Sequence, residues 1–196
     1  MTEPATSANI SPSPGAHPKL RTRLILMFVL VGSLVGCDQV SKLYVQANWK
    51  HAPPQSFLND WVRIQYAENQ GAFLSVLANC SPTTRFWCLT VGNAAALIWV
   101  AAFLLMRHRI DYLSLAAFLL ILAGGIGNLI DRIVHGIVVD FLIVDSGWGW
   151  LRTGIFNVAD MAITVGAILL IPQVFHHDES SQKTNETLAT SSETGT

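Results

Sequence analysis

Long apolar runs separated by polar segments dominate the middle of the chain. The first run extends from Leu24 to about Val45, the second from Phe86 to Met106 and the third from Tyr112 to Ile130, and a fourth extends from about Ile155 to Phe175. The second and third runs contain no Asp, Glu, Lys or Arg. A helix needs about 20 apolar residues to cross the hydrocarbon core of a bilayer. The pattern therefore predicts an all-α membrane protein with four transmembrane helices.

One segment and the two chain ends depart from the apolar helical pattern. In WVRIQYAE, which starts at Trp61, apolar and polar residues alternate as in a β-strand, and Gly71 then interrupts the alternation. We therefore expect a small β-containing segment at about residues 46–84, between helices 1 and 2. Residues 1–20 and 177–196 are rich in small and polar residues, which predicts disordered tails around a four-helix transmembrane domain at 21–176.

The composition supports a membrane protein and excludes several other classes. Of the 196 residues, 51% are hydrophobic and 13% are charged, whereas soluble domains contain about 25% charged residues. The formal net charge of −1 gives no electrostatic case for a nucleic-acid partner. Cys37, Cys80 and Cys88 fit neither a disulfide framework nor a zinc-binding spacing. We expect all three to be packing residues.

The distribution of basic residues predicts the orientation in the membrane. Basic clusters precede the first run, join the second and third, and follow the fourth. They consist of Lys19, Arg21 and Arg23, then Arg107 and Arg109, then His176 and His177. Positively charged segments remain cytoplasmic. Both termini are therefore predicted to be cytoplasmic, and residues 46–84 and 133–154 are predicted to be external.

Two acidic residues in apolar surroundings are the main candidates for chemistry. Asp140 lies in VVDFLIV and Asp160 in FNVADMAITV, and neither has a Lys or Arg within four positions. An ionised carboxylate in a low-dielectric environment is costly unless it is paired. Two such acids brought together would resist double ionisation and share one proton, as in an aspartic protease. The predicted topology places both near the external face.

Further polar groups surround this pair in the sequence. Asp38 and Lys42 have the i, i+4 spacing of an ion pair on one helix face. The amide of Asn69 offers a donor and an acceptor to an extended peptide backbone, and Gly71 permits that backbone to approach closely. Asn128, Asp131 and Arg132 are predicted to share one face of the third helix, with Arg132 compensating Asp131 and able to orient an acid. Asn157 lies three residues before Asp160, so on a helix its amide is able to form hydrogen bonds in the same cleft as that acid.

Three other interpretations compete with a peptidase. Leu34-Val35-Gly36-Cys37 resembles a lipobox, which would make the chain itself a lipoprotein cleaved before Cys37. An ion-coupled transporter would also contain intramembrane acids, although they would follow the depth of the bilayer. A non-catalytic assembly subunit would use the glycines at 124–127 to contact partner helices, but it gives no reason for two unpaired acids.

The motifs taken in order resemble one family. Asp-Gln-x-Ser-Lys in the first run, Asn-x-Gly-Ala-Phe after it, Gly-Gly-x-Gly-Asn-Leu-x-Asp-Arg in the third, then Val-Val-Asp-Phe and Phe-Asn-x-Ala-Asp, are similar to those of lipoprotein signal peptidase, or signal peptidase II. The resemblance covers about residues 24–172. Many members have one more alanine in the second motif than this chain, in which Phe73 and Ser75 follow Gly71 and Ala72 directly.

The resemblance implies a function and a set of site residues. Members of the family are aspartic endopeptidases of the bacterial inner membrane that cut prolipoproteins just before a diacylglyceryl-modified cysteine, with no cofactor or metal. It implies that Asp140 and Asp160 are the catalytic dyad. Supporting or substrate-binding positions are implied for Asp38, Lys42, Asn69, Gly71, Asn128, Arg132 and Asn157. The implied partners are prolipoproteins, membrane lipid and globomycin-type inhibitors, and we expect a monomer.

Overall fold

The computed structural model describes residues 17–71, 80–107, 109–145 and 152–172. Within these ranges, three helices are long and apolar enough to cross a membrane: α1 (Leu20–Trp49), α2 (Pro82–Met106) and α3 (Tyr112–His135). A shorter apolar helix, α4 (Val158–Pro172), follows. The predicted end of the fourth run at Phe175 lies outside the described residues, so a fourth complete span remains a prediction.

The ends of the long helices follow from their sequences. Ser81 precedes α2, and its side chain accepts a hydrogen bond from the backbone N–H of Thr84 while Pro82 occupies the first turn. Asp111 caps α3 in the same way through the backbone N–H of Ser114, at 2.8 Å. At the other end of α3, Gly136 adopts a left-handed conformation with φ 73°, which stops the helix.

A three-stranded antiparallel sheet lies at the end of the helices where α1 finishes. Its order is β1 (Gln55–Phe57), β2 (Val62–Asn69) and β3 (Val138–Val144). The strand predicted from WVRIQYAE is confirmed as β2. The β-containing segment expected between helices 1 and 2 is present as β1 and β2, and a third strand that was not predicted, β3, follows α3. Five of the seven residues of β3 are buried, so this strand has no polar–apolar alternation to distinguish it from a helix.

The helix α3 occupies the centre of the helical layer. Half of its apolar window is buried, compared with 6% for α1 and 11% for α2. Its side chains Leu115, Leu119 and Leu122 form the core with Leu97 and Leu104 of α2. The outer faces of α1 and α2 instead expose large apolar side chains, as expected for helices surrounded by lipid. Cys37 and Cys88 lie on exposed surfaces, so the prediction that every cysteine packs inside is wrong for these two.

The end opposite the sheet is held together by a buried arginine. Arg23 of α1 is 4% exposed. Its Nε atom donates to the carbonyl of Pro18 at 3.0 Å, and Nη1 donates to the carbonyls of Leu104 and Arg107. The start of α1 and the connection between α2 and α3 therefore lie at the same end of the molecule. Of the two predicted tails, residues 1–16 and 177–196 lie outside the described residues.

Candidate active site

Asp140 is positioned by the sheet. It lies in the middle of β3, opposite Ala67 of β2, and is 2% exposed. Its Oδ1 atom accepts a hydrogen bond from Nδ2 of Asn157 at 2.7 Å, and Oδ2 accepts one from Nδ2 of Asn69 at 2.8 Å. The backbone N–H of Gly71 donates to Oδ1 of Asn69 at 3.0 Å. This bond fixes the orientation of the Asn69 amide, so its N–H group faces the acid.

Asp160 is positioned by the start of α4. Asn157 precedes the helix, and its Oδ1 atom accepts from the backbone N–H of Asp160 at 2.9 Å. In return, Oδ2 of Asp160 accepts from the backbone N–H of Asn157 at 3.2 Å. This reciprocal arrangement is a capping box, in which the third residue of the helix bonds back to the capping residue. The local sequence Asn-x-x-Asp therefore places this carboxylate beside Asn157.

Asn128 of α3 connects Asp160 to a buried lysine. Its Nδ2 atom donates to Oδ1 of Asp160 at 2.8 Å. Its Oδ1 atom accepts from Nζ of Lys42 at 3.0 Å and from Nδ2 of Asn157 at 3.1 Å. An ammonium group can only donate. Lys42 therefore fixes which side of the Asn128 amide faces the acid.

A buried charge cluster lies beneath the two acids. Nζ of Lys42 is 2.7 Å from Oδ2 of Asp38 and 3.0 Å from Oδ2 of Asp131. The predicted i, i+4 pair of Asp38 and Lys42 is thus confirmed. The ion pair of Asp131 is with Lys42 and not with Arg132, although the charge of Asp131 also acts on the guanidinium group of Arg132. The cluster also contains Gln39 of the Asp-Gln-x-Ser-Lys motif, whose Nε2 atom donates to Asp38 and to Asp131.

Asp38 links this cluster to the start of α4. Its Oδ1 atom accepts from the backbone N–H of Ala159 at 2.9 Å, so a carboxylate of α1 caps the helix that carries Asp160. Close contact with α3 requires glycine at two positions. A Cβ atom at Gly127 would lie 2.6 Å from Oδ2 of Asp38, and one at Gly124 would lie 2.2 Å from the carbonyl oxygen of Ala159.

Arg132 lies beside the two acids without forming an ion pair with a described residue. Its Nη2 atom donates to the carbonyl of Gly71 at 3.3 Å. The charges of Asp160 and Asp140 nevertheless act on its guanidinium group. Arg132 therefore tethers the segment that carries Asn69 and supplies positive charge near the acids. Phe73 and Ser75 lie outside the described residues.

The two acids line one cavity of about 600 Å³. Asn69 borders it on the sheet side. Apolar groups of Ile155, Phe156, Met161 and Val165 form much of the remaining wall. Burial raises the pKa of Asp140 to about 6; the hydrogen bond from Asn69 lowers that pKa, and the charge of Asp160 raises it further. A carboxyl group with such a pKa can carry a proton close to neutral pH.

The predicted site residues therefore converge from α1, β2, β3, α3 and the start of α4. Comparison with known proteins identifies the family. The family model of signal peptidase (SPase) II matches residues 30–176, which is most of the chain. The chain belongs to the signal peptidase II family. This membership favours the peptidase interpretation over the transporter and assembly alternatives. Signal peptidase II proteins remove signal peptides from prolipoproteins.

Individual relatives and solved structures agree with this signal peptidase II assignment. The chain is 36% identical over 168 residues to the lipoprotein signal peptidase of Chlorobaculum tepidum, covering 82% of this chain and 99% of that protein. It is 39% identical over 146 residues to that of Azoarcus sp., covering 73% and 78%. A solved bacterial membrane enzyme superposes with a TM-score of 0.69 at 26% identity, covering 80% of this chain and 92% of that chain.

Proposed function

We propose that this chain is an aspartic endopeptidase that cleaves diacylglyceryl-modified prolipoproteins just before the lipidated cysteine, with Asp140 and Asp160 as its catalytic dyad. The observation that carries the proposal is that both acids line one cavity while Asn157 bonds to each of them. Family membership supplies the substrate class. Glu68 is the third acid among the described lining residues, but it is exposed and its carboxylate accepts a hydrogen bond from Lys50.

In the proposed reaction the dyad holds one proton and one water molecule. The ionised acid removes a proton from the water as its oxygen attacks the scissile carbonyl carbon, and the protonated acid donates its proton to the carbonyl oxygen. The tetrahedral intermediate then collapses: the C–N bond breaks, the leaving amine takes the proton that came from the water, and one hydroxyl group of the intermediate returns its proton to the dyad. One water is consumed and the dyad returns to its singly protonated state. Because the acids titrate as a coupled pair, the roles belong to the pair.

The three asparagines organise the dyad for this reaction. Asn69 and Asn157 each donate to one oxygen of Asp140, and Asn128 donates to one oxygen of Asp160. Each amide is fixed by a group that can only donate, either a backbone N–H or the ammonium of Lys42. The acids are therefore held before the substrate binds, which is the condition for efficient electrostatic catalysis.

The apolar walls of the cavity suit a substrate that arrives within the bilayer. We propose that the protein is a monomer of the bacterial cytoplasmic membrane, with both termini cytoplasmic and the dyad near the external face. The signal helix of the substrate would lie in the lipid, and the residues before the modified cysteine would enter the cavity. Globomycin-type inhibitors would occupy the same cavity.

Cleavage of a diacylglyceryl-modified precursor by the purified protein, followed by gel shift, tests the dyad. We expect Asp140→Asn and Asp160→Asn to lower the rate at least about 10⁴-fold, because neither variant can share a proton and activate water. Asp60→Asn is the matched control. Asp60 lies in the exposed turn after β1, with φ 72°, a conformation that asparagine tolerates.

The control should retain the cleavage rate of the original protein, and all three variants should insert into the membrane and remain folded at the assay temperature. Near-normal cleavage by either dyad variant would exclude the proposed mechanism. Proton flux into liposomes that is lost in Asp160→Asn, without peptidase activity in the original protein, would favour the transporter alternative instead.

A further inference from the structure

A second cavity lies on the other side of Arg132. It has a volume of about 320 Å³ and shares no lining residue with the cavity of the two acids. It is bordered by the beginning of α2, the end of α3 and the residues that follow β2. The described lining includes Gln70, Arg85, Phe86, Leu89, Thr90 and Arg132. Nothing in the proposed peptidase reaction requires this cavity.

Two guanidinium groups border this second cavity, and the charge of Arg132 is partly offset by Asp131, Asp140 and Asp160 outside it. None of its described lining residues is acidic. Nη1 of Arg85 donates to Oε1 of Gln70 at 2.8 Å, and Nη2 of Arg132 donates to the carbonyl of Gly71 at 3.3 Å. Both of these acceptors are neutral, and no ion pair joins either arginine to a described carboxylate. Each arginine has five N–H donors, so most of their capacity is available to a ligand.

The rest of the cavity wall is apolar and lies at the end of a membrane-spanning helix. Phe86 and Leu89 line it from the first turns of α2, and Phe86 is 53% exposed on the outer surface. Arg85 lies in the first turn of the same helix, at the sheet end. A ligand here would therefore present an anionic head to the arginines and an apolar part to the surface that faces lipid.

We propose that this cavity, defined by Arg85, Arg132 and Phe86, binds the phosphate group of an anionic membrane phospholipid. Phosphate suits a cavity bordered by two guanidinium groups, because its oxygens accept charge-assisted hydrogen bonds in bidentate geometry. A headgroup with a net negative charge is favoured over a zwitterionic one, because the described lining offers no acid to a positive headgroup. The glycerol and the first acyl carbons then lie against Phe86 and Leu89. This proposal does not depend on the catalytic roles of the acids.

Native mass spectrometry of the full-length protein, released from nanodiscs of equal phosphatidylglycerol and phosphatidylcholine, tests the proposal. Both lipids contain the phosphate, so the arginines discriminate by net charge. We expect phosphatidylglycerol to be retained about tenfold over phosphatidylcholine, because the arginines repel the positive choline group. Arg85→Gln should reduce the ratio to about one. Arg63→Gln is the matched control, because Arg63 lies on β2, away from the cavity, and its charge is paired with Asp60.

Thermal unfolding in detergent shows whether each variant is folded. If folded Arg85→Gln keeps the lipid preference, or if the original protein retains both lipids equally, the proposal is wrong. Inorganic phosphate, added at ionic strength matched with chloride, distinguishes the source of the phosphate. We expect it to leave phosphatidylglycerol bound, because it cannot replace the apolar contacts. Complete displacement of the lipid by inorganic phosphate would exclude a lipid site and indicate a free-anion site.

Discussion

At the scale of single residues, the orientation of amide groups is the main property of this site. An asparagine offers a donor on one side and an acceptor on the other, and only its neighbours decide which faces a carboxylate. Backbone N–H groups decide this for Asn69 and Asn157, whereas Lys42 decides it for Asn128. A buried ammonium thus acts on Asp160 through an intervening amide, although it does not contact that acid directly.

Asp140 should make the stability of the protein depend on pH. Its pKa is raised from 3.8 to about 6, chiefly by burial. The folded state therefore binds this proton more tightly than the unfolded state. The resulting contribution to the free energy of unfolding is fully present below about pH 4 and is lost as pH rises through about 6. Relative to Asp140→Asn, the original protein should lose up to about 3 kcal/mol of unfolding free energy between pH 4 and pH 7.

Denaturant titration of both proteins in mild detergent measures this difference. Asp60→Asn is again the control, because the hydrogen bond from Arg63 lowers the pKa of Asp60 to about 2. Its effect on stability should therefore stay constant above about pH 5. A difference between the original protein and Asp140→Asn that does not change with pH would contradict the assignment of a raised pKa to Asp140.

At the scale of elements, the position of α4 decides where Asp160 lies. The helix is held from three sides: its own cap Asn157, the carboxylate of Asp38 at the N–H of Ala159, and close packing on α3. The first of these is local in sequence, whereas the other two come from distant helices. Small shifts in the packing of α4 on α3 should therefore change the position of Asp160 relative to Asp140.

Gly124→Ala tests this dependence. A Cβ atom at this position would lie 2.2 Å from the carbonyl oxygen of Ala159, so α4 must move away. We expect a loss of about 1–3 kcal/mol in unfolding free energy and a clear fall in the rate of precursor cleavage. Gly36→Ala is the matched control on α1, because nothing lies within 4 Å of its Cβ position.

Unfolding in detergent and the gel-shift assay, applied to both glycine variants, measure these effects. Gly36→Ala should have unchanged activity and unchanged or slightly higher stability, since alanine favours helix over glycine. If Gly124→Ala behaves like Gly36→Ala, then contact between α3 and α4 does not position Asp160.

At the scale of the whole molecule, the two ends of the helical layer differ in chemistry. One end contains the sheet, the acids and both cavities. The other contains Arg23, which joins the start of α1 to the connection between α2 and α3. The basic residues at this second end agree with the proposed cytoplasmic location of the N-terminus.

Thiol labelling tests the proposed orientation. In a variant without the native cysteines, Asn59→Cys places a thiol in the exposed turn of the sheet, and Arg109→Cys places one in the connection between α2 and α3. We expect a membrane-impermeant maleimide to label position 59 in intact spheroplasts, and to label position 109 only after lysis. Labelling of position 109 in intact spheroplasts would contradict the proposed topology.

Much of the fold and of the candidate site could be predicted from the sequence because the responsible signals are local. Apolar runs indicated the long helices, alternation indicated β2, and i, i+4 spacing indicated the pair of Asp38 and Lys42. Asp140 and Asp160 were evident as acids without a nearby base. Each of these signals is carried by residues within one continuous segment of the chain, so it can be recognised without knowledge of the tertiary contacts.

Only the tertiary structure decided how these parts meet. It made residues 138–144 a strand, since a segment buried on both faces has no periodicity that distinguishes it from a helix. It assigned Asp131 to Lys42 instead of Arg132, and it brought Asp38 to the start of α4. These contacts join residues far apart in the chain, and they depend on register and helix rotation. The sequence by itself therefore determined which groups are available for chemistry, and packing decided which of them contact one another.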